Sequence, residues 1–165
     1  VVLEPSCAAT IRDEGPKLVG GAAAARVSAR VRSFSVAVDE AIKHGWRPKA
    51  PPPESAVLQT HCHEHAVFGS GAQKRVLEAW GVPNLAESSS CCGVAGNFGF
   101  EAEHFDMSMK VAEHSVIPAL AKSETDALVL TDGFSCAMQV SQVDPDRSTK
   151  HLAVALDPLS ARWAD

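Results

Sequence analysis

The 165-residue chain has no dense block of lysine and arginine, and its 15 basic residues stand against 20 acidic ones, for a net charge of −5. Contact with nucleic-acid phosphates needs a basic face, so no nucleic-acid partner is expected. No apolar run reaches the length of a membrane-spanning helix, so no transmembrane segment is expected either. Nor is a signal peptide expected, since the chain opens on Val1 in what reads as a strand. The expectation is a cytoplasmic piece of a longer protein, with a peripheral place on the inner face of a membrane as the variant. Cysteine is scarce and odd in number, five in all. A disulfide framework favours small, even-numbered, secreted domains, which leaves buried thiols, a redox pair or metal ligands. Nothing supports a hydrolase triad. What is present, 45% apolar and 21% charged residues, describes one ordinary globular domain with a real core.

Apolar runs and helical stripes alternate along the chain. VVLE at the start, AVLQTHC ending in Cys62, and DALVLTD read as strands. Val27, Val31, Phe34, Val38 and Ile42 predict one long helix, stopped by Gly45 and the PKAPPPES run. AQKRVLEAW predicts a short helix capped by Gly81, and Phe105, Met109, Ala112, Val116 and Leu120 predict another over 102–120. The alternation implies an α/β fold, a mainly parallel sheet with flanking helices. VVLEPSCAAT also echoes LVLTDGFSCAMQ, each reading as a strand, a turn, Ser-Cys and a helix start. Cys7, Cys62 and Cys136 are thereby expected at strand ends leading into helix N-termini, where a lowered thiol pKa suits metal binding. Trp46, Trp80 and Trp163 read as packing residues, and His44, His104 and His114 as helix-face residues without a role.

The segment SSSCCGVAGNFGF sets Cys91 beside Cys92, followed by Gly93, Gly96 and Gly99 at a spacing of three. Neighbouring cysteines are poorly placed for a mutual disulfide. Zinc sites usually space their cysteines by two or more residues, whereas adjacent thiolates suit two irons of one cluster. Glycines let backbone N–H groups approach the sulfurs of such a group. A dinucleotide site is a weak competitor, because no strand is expected just before the glycines and cysteines occupy the turn. Ser88 to Ser90 are expected to supply loop hydrogen bonds.

EPSC with RDE soon after, HCHEHA, CCGVAGNFGF, EHFDMSMK and DGFSC together resemble the cysteine-rich CCG domain. That domain occurs in heterodisulfide reductases and in the iron–sulfur subunits of glycolate oxidases. The wording is most similar to the C-terminal part of FAD- and Fe–S-dependent proteins of the D-lactate and D-2-hydroxyglutarate dehydrogenase type. The resemblance implies one domain over 1–165, with 1–50 the remainder of a first repeat and 51–165 the second repeat of a duplication. It also implies an electron-transfer role in a flavin-dependent D-2-hydroxy acid oxidoreductase, with no catalytic residue on this piece. The implied cofactor is a [4Fe-4S] cluster, of the noncubane type in the best-understood relatives, lost or replaced by zinc on aerobic purification. FAD is implied only on a flavin-binding portion of the same or a partner chain. Cys62, Cys91, Cys92 and Cys136 carry over as cluster ligands, and Cys7 as the closing cysteine of the first half and a candidate fifth contact. Many relatives end in CxxC, whereas Gly133 stands here where the first of those cysteines would be.

His61, His63 and His65 surround Cys62. Alternation in an extended segment would set them on one face, opposite the thiol. They are open to outer-shell contact with a cluster, to zinc ligation beside Cys62, or to a plain polar turn, and a structural zinc domain remains the alternative function. A geometric expectation follows from a parallel sheet. Cys62 and Cys136 should open on one sheet edge, the glycine loop should fold over it with the amides of Gly93 to Gly99 facing in, the sulfurs of Cys62, Cys91, Cys92 and Cys136 should line one pocket, and Cys7 should end a third strand there.

Overall fold

The computed structural model describes residues 1–159. Four strands, Ser55–Leu58 (β1), Asn84–Glu87 (β2), Leu128–Leu130 (β3) and Thr149–Lys150 (β4), form one sheet in the order β2-β1-β3-β4, every neighbouring pair parallel. The helices are α1 (Pro5–Ala9), α2 (Gly15–Val19), α3 (Gly21–Arg30), α4 (Phe34–Lys43), α5 (Cys62–Phe68), α6 (Gly71–Trp80), α7 (Phe105–Glu113), α8 (Val116–Ala121), α9 (Phe134–Val143) and α10 (Leu152–Ala155). The expected α/β architecture with a parallel sheet is what the chain adopts.

Strand pleating sends alternate side chains to opposite faces, and two apolar cores result. On one face Ala56, Leu58 and Leu130 meet Val38 of α4, Val76, Leu77 and Trp80 of α6, and Leu152 of α10. On the other, Val57 and Val129 meet Ala112 of α7, Val116 and Leu120 of α8, and Val140 of α9. The chain therefore leaves β1 towards one face and β3 towards the other. Adjacent parallel strands whose exits diverge leave a crevice at their carboxyl ends, the usual ligand position in open α/β sheets.

Several sequence expectations are corrected. VVLE forms no sheet strand: Val2 makes only an isolated bridge to Ser33, and Glu4 then caps a helix with Pro5 in its first turn. The stripe from Val27 to Ile42 is two helices, because Val31 is extended and the Ser33 hydroxyl starts α4 by accepting from the Val36 amide. The 102–120 stripe also breaks, at Ser115 (φ −133°, ψ −87°), between α7 and α8. An edge strand, β2, lies shortly before the glycine segment, contrary to expectation, so only the cysteines in the turn distinguish this segment from a dinucleotide loop. Residues 62–68 are helical, so the three histidines do not line one face of an extended segment. Gly81 does cap α6 in the left-handed conformation. Trp80 is buried, its indole N–H donating to the Ala50 carbonyl at 2.8 Å, whereas Trp46 is exposed and Trp163 lies outside the described residues. His44 and His114 end α4 and α7, and His104 begins α7.

Candidate functional site

Four thiols from three chain segments meet at the crevice. Cys62 begins α5 just beyond β1, Cys136 lies in the first turn of α9 just beyond β3, and Cys91–Cys92 follow β2. The thiols form a continuous series in which each perturbs the next: Cys62 beside Cys91, Cys91 beside Cys92, Cys92 beside Cys136. All are free, Cys92 and Cys136 buried and Cys62 and Cys91 partly so. Cys7 stands apart: it sits exposed in α1, follows no sheet strand, and has no part in that series. The internal echo thus holds for the helix starts at Ser6–Cys7 and Ser135–Cys136 but not for the strands.

Local hydrogen bonds fix each thiol's carrier. His61 caps α5, its Nδ1 accepting from the His63 amide at 3.2 Å. Glu64, buried in the first turn of α5, accepts from the hydroxyls of Ser33 (2.6 Å) and Ser35, which ties α5 to the start of α4. The Gln59 side-chain amide donates to the Ser90 carbonyl at 3.1 Å, joining the end of β1 to the cysteine loop. Ser115, at the break between α7 and α8, donates to the Cys91 carbonyl at 2.7 Å. Of the three serines, Ser88 donates to the Ser90 carbonyl at 3.4 Å and Ser89 to that of His114 at 3.0 Å. The Phe134 amide at the start of α9 donates to Glu4 at 3.0 Å, so α1 touches the same edge.

The glycines divide by role. Gly93 (φ +104°) and Gly96 (φ +74°) occupy the left-handed region, whereas Gly99 does not. A Cβ at Gly93 would overlap the backbone of Ser108 in α7, and one at Gly99 its hydroxyl; the loop lies directly on that helix. Ser108 is itself buried and meets the side-chain amide of Gln139 at 3.3 Å. The Gly93 amide reaches the Cys91 sulfur at 3.4 Å, and the Val94 backbone reaches that of Cys92. The Gly99 amide instead donates to the Val94 carbonyl, so the expected row of inward amides extends only from Gly93 to Val94.

The pKa of Cys62 runs opposite to the expected lowering, and those of Cys91 and Cys92 rise with it. Cys91 is pushed well up, first by the neighbouring Cys92 thiol and then by burial. Cys92 rises to about 12, mainly through Cys136, and burial raises Cys62. Crowded, dry thiols resist becoming neighbouring anions, and this outweighs the helix N-termini; only a strongly cationic group would hold them as thiolates together.

The four sulfurs do not line one pocket as expected: two cavities adjoin the site, Cys62 lines both and Cys91 one, while buried Cys92 and Cys136 line neither. One, of about 520 Å³, is polar and bounded by Thr60, His65, Ser88, Ser89 and Cys91. The other, of about 770 Å³, is largely apolar and bounded by His61, His63, Phe100, Phe134 and Met138. One donor atom each from His61, Cys62 and His63 lie within 4.8 Å of one another. His61 is buried, its pKa lowered chiefly by burial, while His63 and His65 are exposed. Sequence reasoning missed Glu64, Ser115 and Gln139. Of these only Ser115 carried a local signal, a polar residue just before Val116 in an otherwise apolar stripe.

No family model matches the chain, and no solved structure matches it. Among curated proteins, it is 29% identical over 106 residues, 63% of its length, to a D-2-hydroxyglutarate dehydrogenase of Pseudomonas putida. It is 31% identical over 93 residues, 55% of its length, to a D-2-hydroxyglutarate dehydrogenase of Pantoea ananatis. The matched parts are 10% and 9% of those relatives, so the chain spans about a tenth of their length.

Proposed function

We propose that this chain is an electron-transfer domain of a flavin-linked D-2-hydroxy acid oxidoreductase, holding an iron–sulfur group on Cys62, Cys91, Cys92 and Cys136. The observation that carries the reading is the meeting of those four thiols at the carboxyl edge of a parallel sheet. The donor set fits: four soft sulfur ligands, backbone amides of Gly93 and Val94 on two of them, and a bend no bulkier residue than Gly93 would allow. Similarity to two D-2-hydroxyglutarate dehydrogenases supplies the enzyme context. Residues 51–165 form the second of two CCG repeats and 1–50 the remainder of the first.

When bound, such a group supplies one-electron transfer, the natural sequel to hydride removal by a flavin held on another portion of the same or a partner chain. The protein's own part is to bind, orient and shield. Gln59 and Ser115 fix the cysteine loop, Glu64 fixes α5, and buried Cys92 and Cys136 exclude water from the inner side. On this reading no residue here performs acid–base chemistry on substrate, so this chain alone is expected to turn over no hydroxy acid, and FAD is expected on the other portion. Among the described residues no helix is long and apolar enough to cross a membrane.

A zinc domain is the second reading, favoured by the proximity of His61, Cys62 and His63 donors. Anaerobic reconstitution with iron and sulfide decides between them. A brown protein that loses its chromophore in Cys62→Ser and Cys136→Ser agrees with the proposal. Stoichiometric colourless zinc with no sulfide overturns it.

A further inference from the structure

Gly133, just beyond β3, has no side chain, and the His61 ring occupies the space that one would take. A Cβ at Gly133 would overlap the His61 ring, whose Nε2 lies 3.1 Å from the Cβ position. His61 and Gly133 therefore share one space across the crevice, from the ends of β1 and β3. The ring's protonation pattern follows from the helix cap. Nδ1 accepts the His63 amide, so the proton of the neutral imidazole resides on Nε2. That Nε2 lies 3.3 Å from the Ser135 hydroxyl, a long contact beside Cys136. A ring nitrogen is also within 4.8 Å of the Cys62 sulfur.

We propose that His61 is a positioning residue that donates an Nε2–H hydrogen bond towards the thiolate-held group and raises its electron affinity, housed in the space that the missing side chain of Gly133 leaves open. The inference rests on the iron–sulfur reading above and deepens it. Adding an electron makes the sulfur shell more negative, and an N–H donor stabilises that reduced state. A side chain at position 133 and the His61 imidazole exclude each other.

The test compares wild type, His61→Asn, Gly133→Ala and the double variant, reconstituted anaerobically with iron and sulfide. Asn is a good helix cap, so α5 keeps its start while the Nε2 donor is lost. The expected result is a reduction potential shifted negative in both single variants, with no larger shift in the double variant. Melting of the unloaded proteins gives an independent readout. Gly133→Ala should lower the midpoint in the wild-type background and lower it less in the His61→Asn background. A loaded protein whose potential ignores His61→Asn overturns the inference, as do additive shifts or equal melting losses in both backgrounds. A wild type that takes up no iron and sulfide overturns the reading beneath it as well.

Discussion

Replacing Gly93 by alanine perturbs the hinge on which Cys91 and Cys92 depend. At φ +104° the added methyl puts an L-residue in the left-handed region, which costs about 1–2 kcal/mol. The same methyl overlaps backbone atoms of Ser108, which cannot rotate aside as a side chain could. Forcing extra volume into a packed site costs a further 1–3 kcal/mol or so. Reduced freedom of the unfolded chain returns roughly 0.5–1 kcal/mol. The net loss is about 1–4.5 kcal/mol, against a total stability of about 5–15 kcal/mol. Gly96→Ala is the matched control, with φ +74° but open space around its Cβ. It meets only the backbone cost and should lose no more than about 1.5 kcal/mol. Thermal unfolding of the unloaded proteins reads the difference. At about 2–4 °C per kcal/mol for a chain of this size, Gly93→Ala should melt roughly 2–18 °C low and Gly96→Ala less than about 6 °C low. Equal midpoints for the two variants would refute the packing of this loop on α7.

Three further outcomes are expected. Asp39 is buried, and the hydrogen bond from Arg75, with help from Lys43, holds its carboxyl below the usual range. Asp39→Ala should therefore cost about 1–3 kcal/mol at neutral pH by denaturant melts; the pair's contribution, full above the ordinary carboxylate value, should fade as pH falls through the lowered one. Glu64 shifts the opposite way, raised chiefly by burial, so the native state keeps its proton where the unfolded chain has lost it. Stability should fall as pH rises from the ordinary carboxylate value through the raised one, and Glu64→Gln should flatten that slope in melts across the window; buried Asp132, raised the same way, leaves a remainder. Ser115→Ala removes the hydroxyl that holds the Cys91 carbonyl, and should loosen the cysteine loop, measured as faster amide hydrogen exchange at Cys91 to Val94.

The legible parts of the chain were those decided by local apolar pattern. AVL and LVL announced the central strands β1 and β3, and AQKRVLEAW its helix, because burial there follows periodicity. NLAE gave no sign of β2, since an exposed edge strand needs no β-branched run. The broken helices at Ser33 and Ser115 depend on distant partners, Glu64 and the Cys91 carbonyl, and local pattern contains neither. The site divides in the same way. Strand-end position was enough to suggest that Cys62 and Cys136 share an edge. The raised thiol pKa values, the exclusion of Cys7 from the series and the fit of His61 over Gly133 arise from packing between segments far apart in sequence.

Iron and acid-labile sulfide measured together on the anaerobically reconstituted chain, with Cys7→Ser and Cys92→Ser alongside, test the central claim most directly. Equal iron and sulfide in wild type and Cys7→Ser, and their loss in Cys92→Ser, is the predicted result. Sulfide-free metal in the wild type, or retention of both elements in Cys92→Ser with loss in Cys7→Ser, contradicts the four-thiol site.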